Sequence, residues 1–268
     1  MLELVSMSLL AFIVGILSSM IGVGGGFLMV PILVLLYGIS MHYAVGTSVV
    51  MIIFTALASS VAYARQKRID YALGLVVAIG SIPGATLGAL ATSFISAKNL
   101  TSLFGVFLII VATRMFVISG EESQRKRARI WGWLRRIRDA KGETFVYTAN
   151  MVPGMILSFL AGFSSGFFGV GGGAVMVPVM VLVMTMPMHI AVATSMYIMI
   201  FTSISGAITH VLLGNVLADS AAALGFGIVF GTQIGAFAAR RLKARSLQRI
   251  FAIFVVAIGV RMMLQYFF

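Results

Sequence analysis

The sequence predicts an all-α integral membrane protein made of two inverted-topology repeats, each broken by a glycine-rich segment that leads into a short helix. Three observations lead there. Of 268 residues, 60% are hydrophobic and only 10% are charged, whereas a soluble domain carries about 25% charged residues to solvate its surface. A Gly-Val-Gly-Gly-Gly motif occurs twice, at Gly22 to Gly26 and at Gly169 to Gly173. Finally, the basic residues change places between equivalent loops of the two copies.

Crossing a hydrocarbon core of about 30 Å takes roughly 20 apolar residues. Runs of that size lie at 2–21, 43–64, 71–93, 99–118, 147–168, 190–212, 217–239 and 247–267, which predicts about eight long transmembrane helices. The runs 27–38 and 174–186 are too short to span comfortably and are expected as discontinuous or re-entrant helices. Glu3 is the only charge of the first run, which lacks the basic start of a secretory leader and is read as part of the mature fold.

The two copies share one register without a gap. Ser18 matches Ser165, Met29-Val30-Pro31 matches Met176-Val177-Pro178, Thr47-Ser48 matches Thr194-Ser195, and Gly80, Gly84 and Gly88 match Gly227, Gly231 and Gly235. This divides the chain into a first repeat at 1–118, a linker at 119–146 and a second repeat at 147–268. After the run 43–64 stand Arg65, Lys67 and Arg68, where the second copy has Leu212, Gly214 and Asn215; the next loop holds only Lys98, where the second copy has the basic stretch Arg240 to Arg245. Basic loops stay in the cytoplasm, so equivalent loops face opposite sides, the halves are inverted, and each crosses an odd number of times. Both termini are then expected outside. Whether 2–38 makes two crossings or a re-entrant V stays open.

The linker carries Arg125, Lys126, Arg127, Arg129, Arg135, Arg136, Arg138 and Lys141, and Ile130, Trp133, Leu134 and Ile137 fall at helical spacing. That pattern predicts an amphipathic helix lying against anionic lipid of the inner leaflet. Topology and lipid account for the net charge of +12, leaving no need for a nucleic-acid partner.

Cysteine is absent, and the acidic residues Glu3, Asp70, Glu121, Glu122, Asp139, Glu143 and Asp219 all lie outside or at the ends of the apolar runs. This argues against thiolate chemistry, a metal site, a cofactor and a buried cation site. Without paired carboxylates or a Ser-His-Asp set in the spans, an enzyme is not expected. The polar inventory of the spans consists of donors. Gly24, Gly25 and Gly26, with Gly171, Gly172 and Gly173, allow positive φ and expose backbone N–H groups at the start of a short helix, where the dipole favours an anion. Tight helix packing is the other use of such glycines. Thr47-Ser48 and Thr194-Ser195 are expected to open the next helices as caps or ligand donors. His42 and His189 precede them as proton or anion contacts, and Gln233 adds an amide. A small anionic substrate held between the halves follows, carried by a transporter or passed by a channel, with uniport and proton coupling both open and oligomeric state unassigned.

The Gly22 to Gly26 motif with Pro31, the stretch from His42 to Ser48, and their second copies resemble the sulfite exporter TauE/SafE family, also called the toluenesulfonate uptake permease family. The resemblance covers all but the linker, which is longer and more basic than the family pattern. It implies a bacterial inner-membrane secondary transporter that moves sulfite, sulfoacetate or another organosulfonate, thiosulfate or a related anion.

Overall fold

The computed structural model describes residues 2–117, 132–238 and 255–264. The helices are α1 (Leu2–Ile21), α2 (Gly26–Leu35), α3 (Met41–Arg65), α4 (Tyr71–Ala91), α5 (Ala97–Val117), α6 (Met151–Phe168), α7 (Gly173–Leu182), α8 (Met188–Leu212), α9 (Ala218–Ala238) and α10 (Val255–Leu264). Strands β1 (Trp133–Arg138) and β2 (Thr144–Ala149) join the halves. Among the described residues six helices are long and apolar enough to cross a membrane, α1, α3, α4, α6, α8 and α9. The described part is a helical membrane protein.

Elements α2 and α7 and elements α3 and α8 begin and end at matching residues of the two copies, Gly26 with Gly173 and Arg65 with Leu212, and α4 and α9 begin at matching residues, Tyr71 and Ala218. The sequence register is therefore also a structural one. At the centre α3 and α8 run antiparallel, since Gly46 packs against His210 and Asn215 while Val49 packs against Gly206. Around this pair each half lends its first helix to the other. Gly227, Gly231 and Gly235 of α9 sit on the carbonyls of Ser8, Phe12 and Ile16 in α1, and Gly84 and Gly88 of α4 sit on those of Phe159 and Phe163 in α6. A Cβ has no room at these positions, and a glycine every fourth residue makes the stripe that lets two helix backbones touch. Between segments, Leu75, Ile79 and Leu87 of α4 and Phe226 and Phe230 of α9 remain exposed, the apolar outer surface that lipid requires.

The linker departs from expectation. The amphipathic helix expected through Ile137 is, from Trp133 onward, a β-hairpin in which Trp133 pairs with Ala149, Arg135 with Tyr147 and Ile137 with Phe145; Arg125, Lys126, Arg127, Arg129 and Ile130 lie outside the described residues. The strand also satisfies the sequence pattern, because Arg135 and Ile137 alternate with the exposed Leu134, Arg136 and Arg138. What selects it is long-range. The Arg135 guanidinium donates to both carboxylate oxygens of buried Asp70, at 2.8 and 2.6 Å, and the Tyr147 hydroxyl donates to the same carboxylate at 2.6 Å. Arg68 pairs with Asp139 at 3.0 Å, and Ala140 N–H donates to Gln66 O. From the other half, the Thr185 hydroxyl donates to Thr148 O and the Asn150 amide to Val183 O. The hairpin thus straps the α3–α4 loop of one half to the α7–α8 loop of the other.

Candidate functional site

Both glycine motifs are buried turns of left-handed backbone. Gly22, Gly24 and Gly25 have φ of 84°, 86° and 84°, and Gly169, Gly171 and Gly172 have 71°, 79° and 75°, values that glycine adopts at little cost. Gly25 and Gly172 cap α2 and α7, and their carbonyls accept the first bonds of those helices from Leu28 and Met29 and from Val175 and Met176.

The two loops pass one another at the centre of the molecule. Gly26 packs on the Gly169 carbonyl and Gly173 on the Gly22 carbonyl, with Ile52 against Gly26 and Gly171 and Met199 against Gly24 and Gly173. From there α2 returns towards the start of α1, where Tyr37 and Ser6 share a hydrogen bond, and α7 returns towards the start of α6, where Asn150 reaches Val183. The N-terminal ends of α2 and α7 therefore meet head to head, and their positive dipole ends converge on one buried region.

Of the remaining residues singled out in the sequence, Ser195 lies at this centre and Ser48 is fully buried on α3. The Ser195 hydroxyl donates to Val192 O at 2.9 Å and reaches Gly22 O at 3.4 Å. Thr47 and Thr194 do not open their helices, which begin at Met41 and Met188. Each hydroxyl instead accepts a backbone N–H from the opposite half, Thr47 from Leu217 and Thr194 from Asp70, and so ties down the entry to α9 and α4. His42 is held at the far end of α4, its Nε2 at 3.1 and 3.0 Å from the carbonyls of Thr92 and Ile95. His189 is exposed at the opening of α8. The Gln233 amide donates to Ala58 O at 2.8 Å, and the residue lines an outer cavity of about 510 Å³ between α1 and α9 with Phe12, Phe226 and Phe230.

The two half-sites are alike in backbone and unlike in their polar atoms. Among the described residues, the buried side-chain atoms without a partner are Ser48 Oγ, Ser60 Oγ, Gln66 Oε1, Ser165 Oγ and His210 Nδ1. Three of these belong to segments that pack on the second loop or the helix turn leading into it. Ser165 lies against Gly172, Ser48 follows Val45, which packs on Gly169, and His210 Nε2 is 2.8 Å from Gly166 O. Their equivalents in the other copy are bonded: Ser18 to Gly15 O, Ser195 as above, and Tyr63 to Ser19 O. Ser165 and His210 were missed as site residues in the sequence, although the match of Ser165 to Ser18 was visible there. No group of three or more His, Asp or Glu residues suited to a metal ion occurs among the described residues.

The strap reaches this centre through Asp70. Burial pushes the Asp70 carboxyl up, but hydrogen bonds from Arg135, Tyr147 and Leu73 N–H and the Arg135 charge outweigh it and hold the group below its usual value. Tyr147 is driven well above the normal phenol range by burial and by the adjoining carboxylate. The Asp70 N–H bond to Thr194 then connects this network to the residue beside Ser195.

A polytopic helical bundle with buried glycine breaks at its centre is an architecture suited to a membrane transporter. The chain belongs to the sulfite exporter TauE/SafE family, whose description matches residues 7–262. It is 33% identical to the probable membrane transporter protein YunE of Bacillus subtilis, over 97% of both chains. It is 27% identical to the probable membrane transporter protein MJ0441 of Methanocaldococcus jannaschii, over 96% of this chain and 94% of that one. No solved structure matches the chain.

Proposed function

We propose that the protein is a secondary transporter that exports small sulfur-containing oxyanions, such as sulfite, thiosulfate, or sulfoacetate and other organosulfonates, by rocking of two inverted repeats about the crossed glycine loops. The observation that carries this reading is the head-to-head meeting of two buried helix N-termini among hydroxyls that lack partners. Such a site offers N–H and O–H donors and no carboxylate, which suits an oxyanion. Inversion is supported by the antiparallel α3 and α8 and by the matching helix boundaries. Burial of both loops from Gly22 to Gly26 and from Gly169 to Gly173 favours a carrier over an open channel.

The bacterial inner membrane is the proposed location, with the hairpin cytoplasmic and both termini outside. Arg65, Lys67 and Arg68 share the hairpin's end of the bundle, as the positive-inside rule asks. The hairpin's outer face, with Leu134, Val146, Arg136 and Arg138 exposed, suits anionic headgroups.

The test is tracer counterflow in proteoliposomes with labelled sulfite, thiosulfate and sulfoacetate against chloride. The reading requires saturable exchange of at least one sulfur anion that is lost in Ser165→Val and Gly172→Val. Exchange that persists in these folded variants removes the glycine-loop site, and flux without counterflow removes the carrier.

A further inference from the structure

The fold repeats itself around its centre, so each buried residue can be compared with its equivalent in the other half. One such pair differs in a way that bears on energy coupling. Tyr63 on α3 donates its hydroxyl to Ser19 O at 2.7 Å; His210, the equivalent residue on α8, places Nε2 2.8 Å from Gly166 O. The two carbonyls are themselves equivalent, so the pair performs one structural task with two different side chains. A carbonyl only accepts, so Nε2 carries the hydrogen and Nδ1 holds the lone pair. That Nδ1 is buried and has no partner. Tying α8 to α6 needs Nε2 alone and does not account for a second, unsatisfied nitrogen where a phenol serves equally well.

The position of the ring supplies the reason. Gly166 lies on the last turn of α6, just before the loop from Gly169 to Gly173, and its neighbour Ser165, whose hydroxyl has no partner, packs its Cβ against Gly172. From α3, Gly46 packs on the His210 side chain, and His42, one turn before Gly46, is the titratable group whose charge acts on the ring. From the segment after α8, Asn215 presents backbone only, its N–H donating to His210 O. Among the described residues no carboxylate faces the ring, so an imidazolium here has no counter-charge within the protein. An oxyanion on the second loop would provide one.

We propose that His210 takes up a proton at Nδ1 when an oxyanion occupies the second glycine loop and gives it up when the anion leaves, so that anion and proton move together. This rests on the transporter reading above. The proton comes from the aqueous phase to which the site is open, neutral imidazole becomes imidazolium, and the same proton returns to water on the side of release. Each charge lowers the cost of burying the other. The first half, with Tyr63 in place of histidine, takes no part, which makes the pair of half-sites one anion seat and one structural copy.

The experiment uses the full chain in proteoliposomes with labelled sulfite, comparing wild type, His210→Tyr, which installs the other half's residue, and His210→Gln, which keeps an N–H for Gly166 O. Two readouts are taken, counterflow without a pH gradient and accumulation driven by a gradient alkaline inside. Sulfite itself titrates near neutrality, so the contrast between wild type and variants is decisive. The expected result is accumulation in wild type and its loss in both variants, with counterflow slowed but present. Equal gradient-driven accumulation in wild type and in either variant overturns the assignment while leaving the transporter reading intact. Absence of sulfite counterflow from wild type overturns both. Should both variants lose counterflow, proton uptake on sulfite binding to purified protein decides: uptake by wild type and none by the variants supports the assignment, and equal uptake overturns it.

Discussion

Replacing Arg135 by methionine should release the hairpin from the membrane bundle while leaving the bundle folded. Arg135 makes two hydrogen bonds to Asp70, whose side chain is fully buried, while its own side chain is 22% exposed. Removing one partner of a buried ion pair strands the other charge, at a cost of about 3–5 kcal/mol. The Tyr147 hydroxyl and the Leu73 N–H still serve the carboxylate, so the lower end, about 3 kcal/mol, is the figure to expect. That weakens docking about a hundredfold. The assay is built in, because the only two tryptophans of the chain are Trp131 and Trp133, and the Arg135 guanidinium lies 4.3 Å from the Trp133 ring centroid. Their fluorescence and its quenching by a soluble quencher should report undocking, while circular dichroism keeps its helical signal. Asp70→Asn combined with Arg135→Met closes a double-mutant cycle, and a coupling below about 0.5 kcal/mol would refute the claim that this pair fastens the strap.

Other outcomes follow from the same geometry. Folded-state Asp70 is held below its ordinary value, so the hairpin's contribution is fully present above the usual carboxylate pKa of 3.8 and disappears as the pH falls through the lowered one; an acid titration of tryptophan fluorescence should show this, and Asp70→Asn should abolish it. Thr194→Val and Thr47→Val each remove the acceptor for a backbone N–H of the opposite half, which should cost about 1–3 kcal/mol in thermal unfolding and be restored by serine at either position. Gly26→Ala must displace the Gly169 carbonyl and Ile52 and should destabilise by about 1–3 kcal/mol or more with loss of transport. Gly38→Ala meets no atom within 4 Å and should cost only its left-handed backbone, about 1–2 kcal/mol, with transport kept.

Much of the bundle was legible because membrane helices announce themselves by composition and length, and because an internal repeat gives each helix a second reading. The matching boundaries of α2 with α7 and of α3 with α8 agree with that register. The hairpin was not legible. Trp133, Leu134 and Ile137 fit a helical face, and the observation that overrides it, Arg135 on Asp70, joins residues far apart in the chain. Thr47 and Thr194 misled for a related reason, since a hydroxyl near a helix start reads as a local cap until the opposite half supplies its donor. The glycine loops were readable down to their positive φ values, yet the difference between the two half-sites was not. It lies in partners that exist only after folding, such as Gly15 O for Ser18 and none for Ser165.

The exchange of first helices has a consequence for how the protein is made. Helix α1 leaves the ribosome well before its long contact surface, α9, with Ser8 waiting for Gly227 and Ile16 for Gly235. Helix α4, likewise, has its glycine stripe filled by α6 of the second half. During synthesis the first half therefore sits in the bilayer with two helices unmated, and close packing begins only when the second half arrives. Biogenesis of this molecule is in effect the docking of two incomplete pieces on one chain, and a nascent chain stopped before α9 should be a ready substrate for membrane proteases.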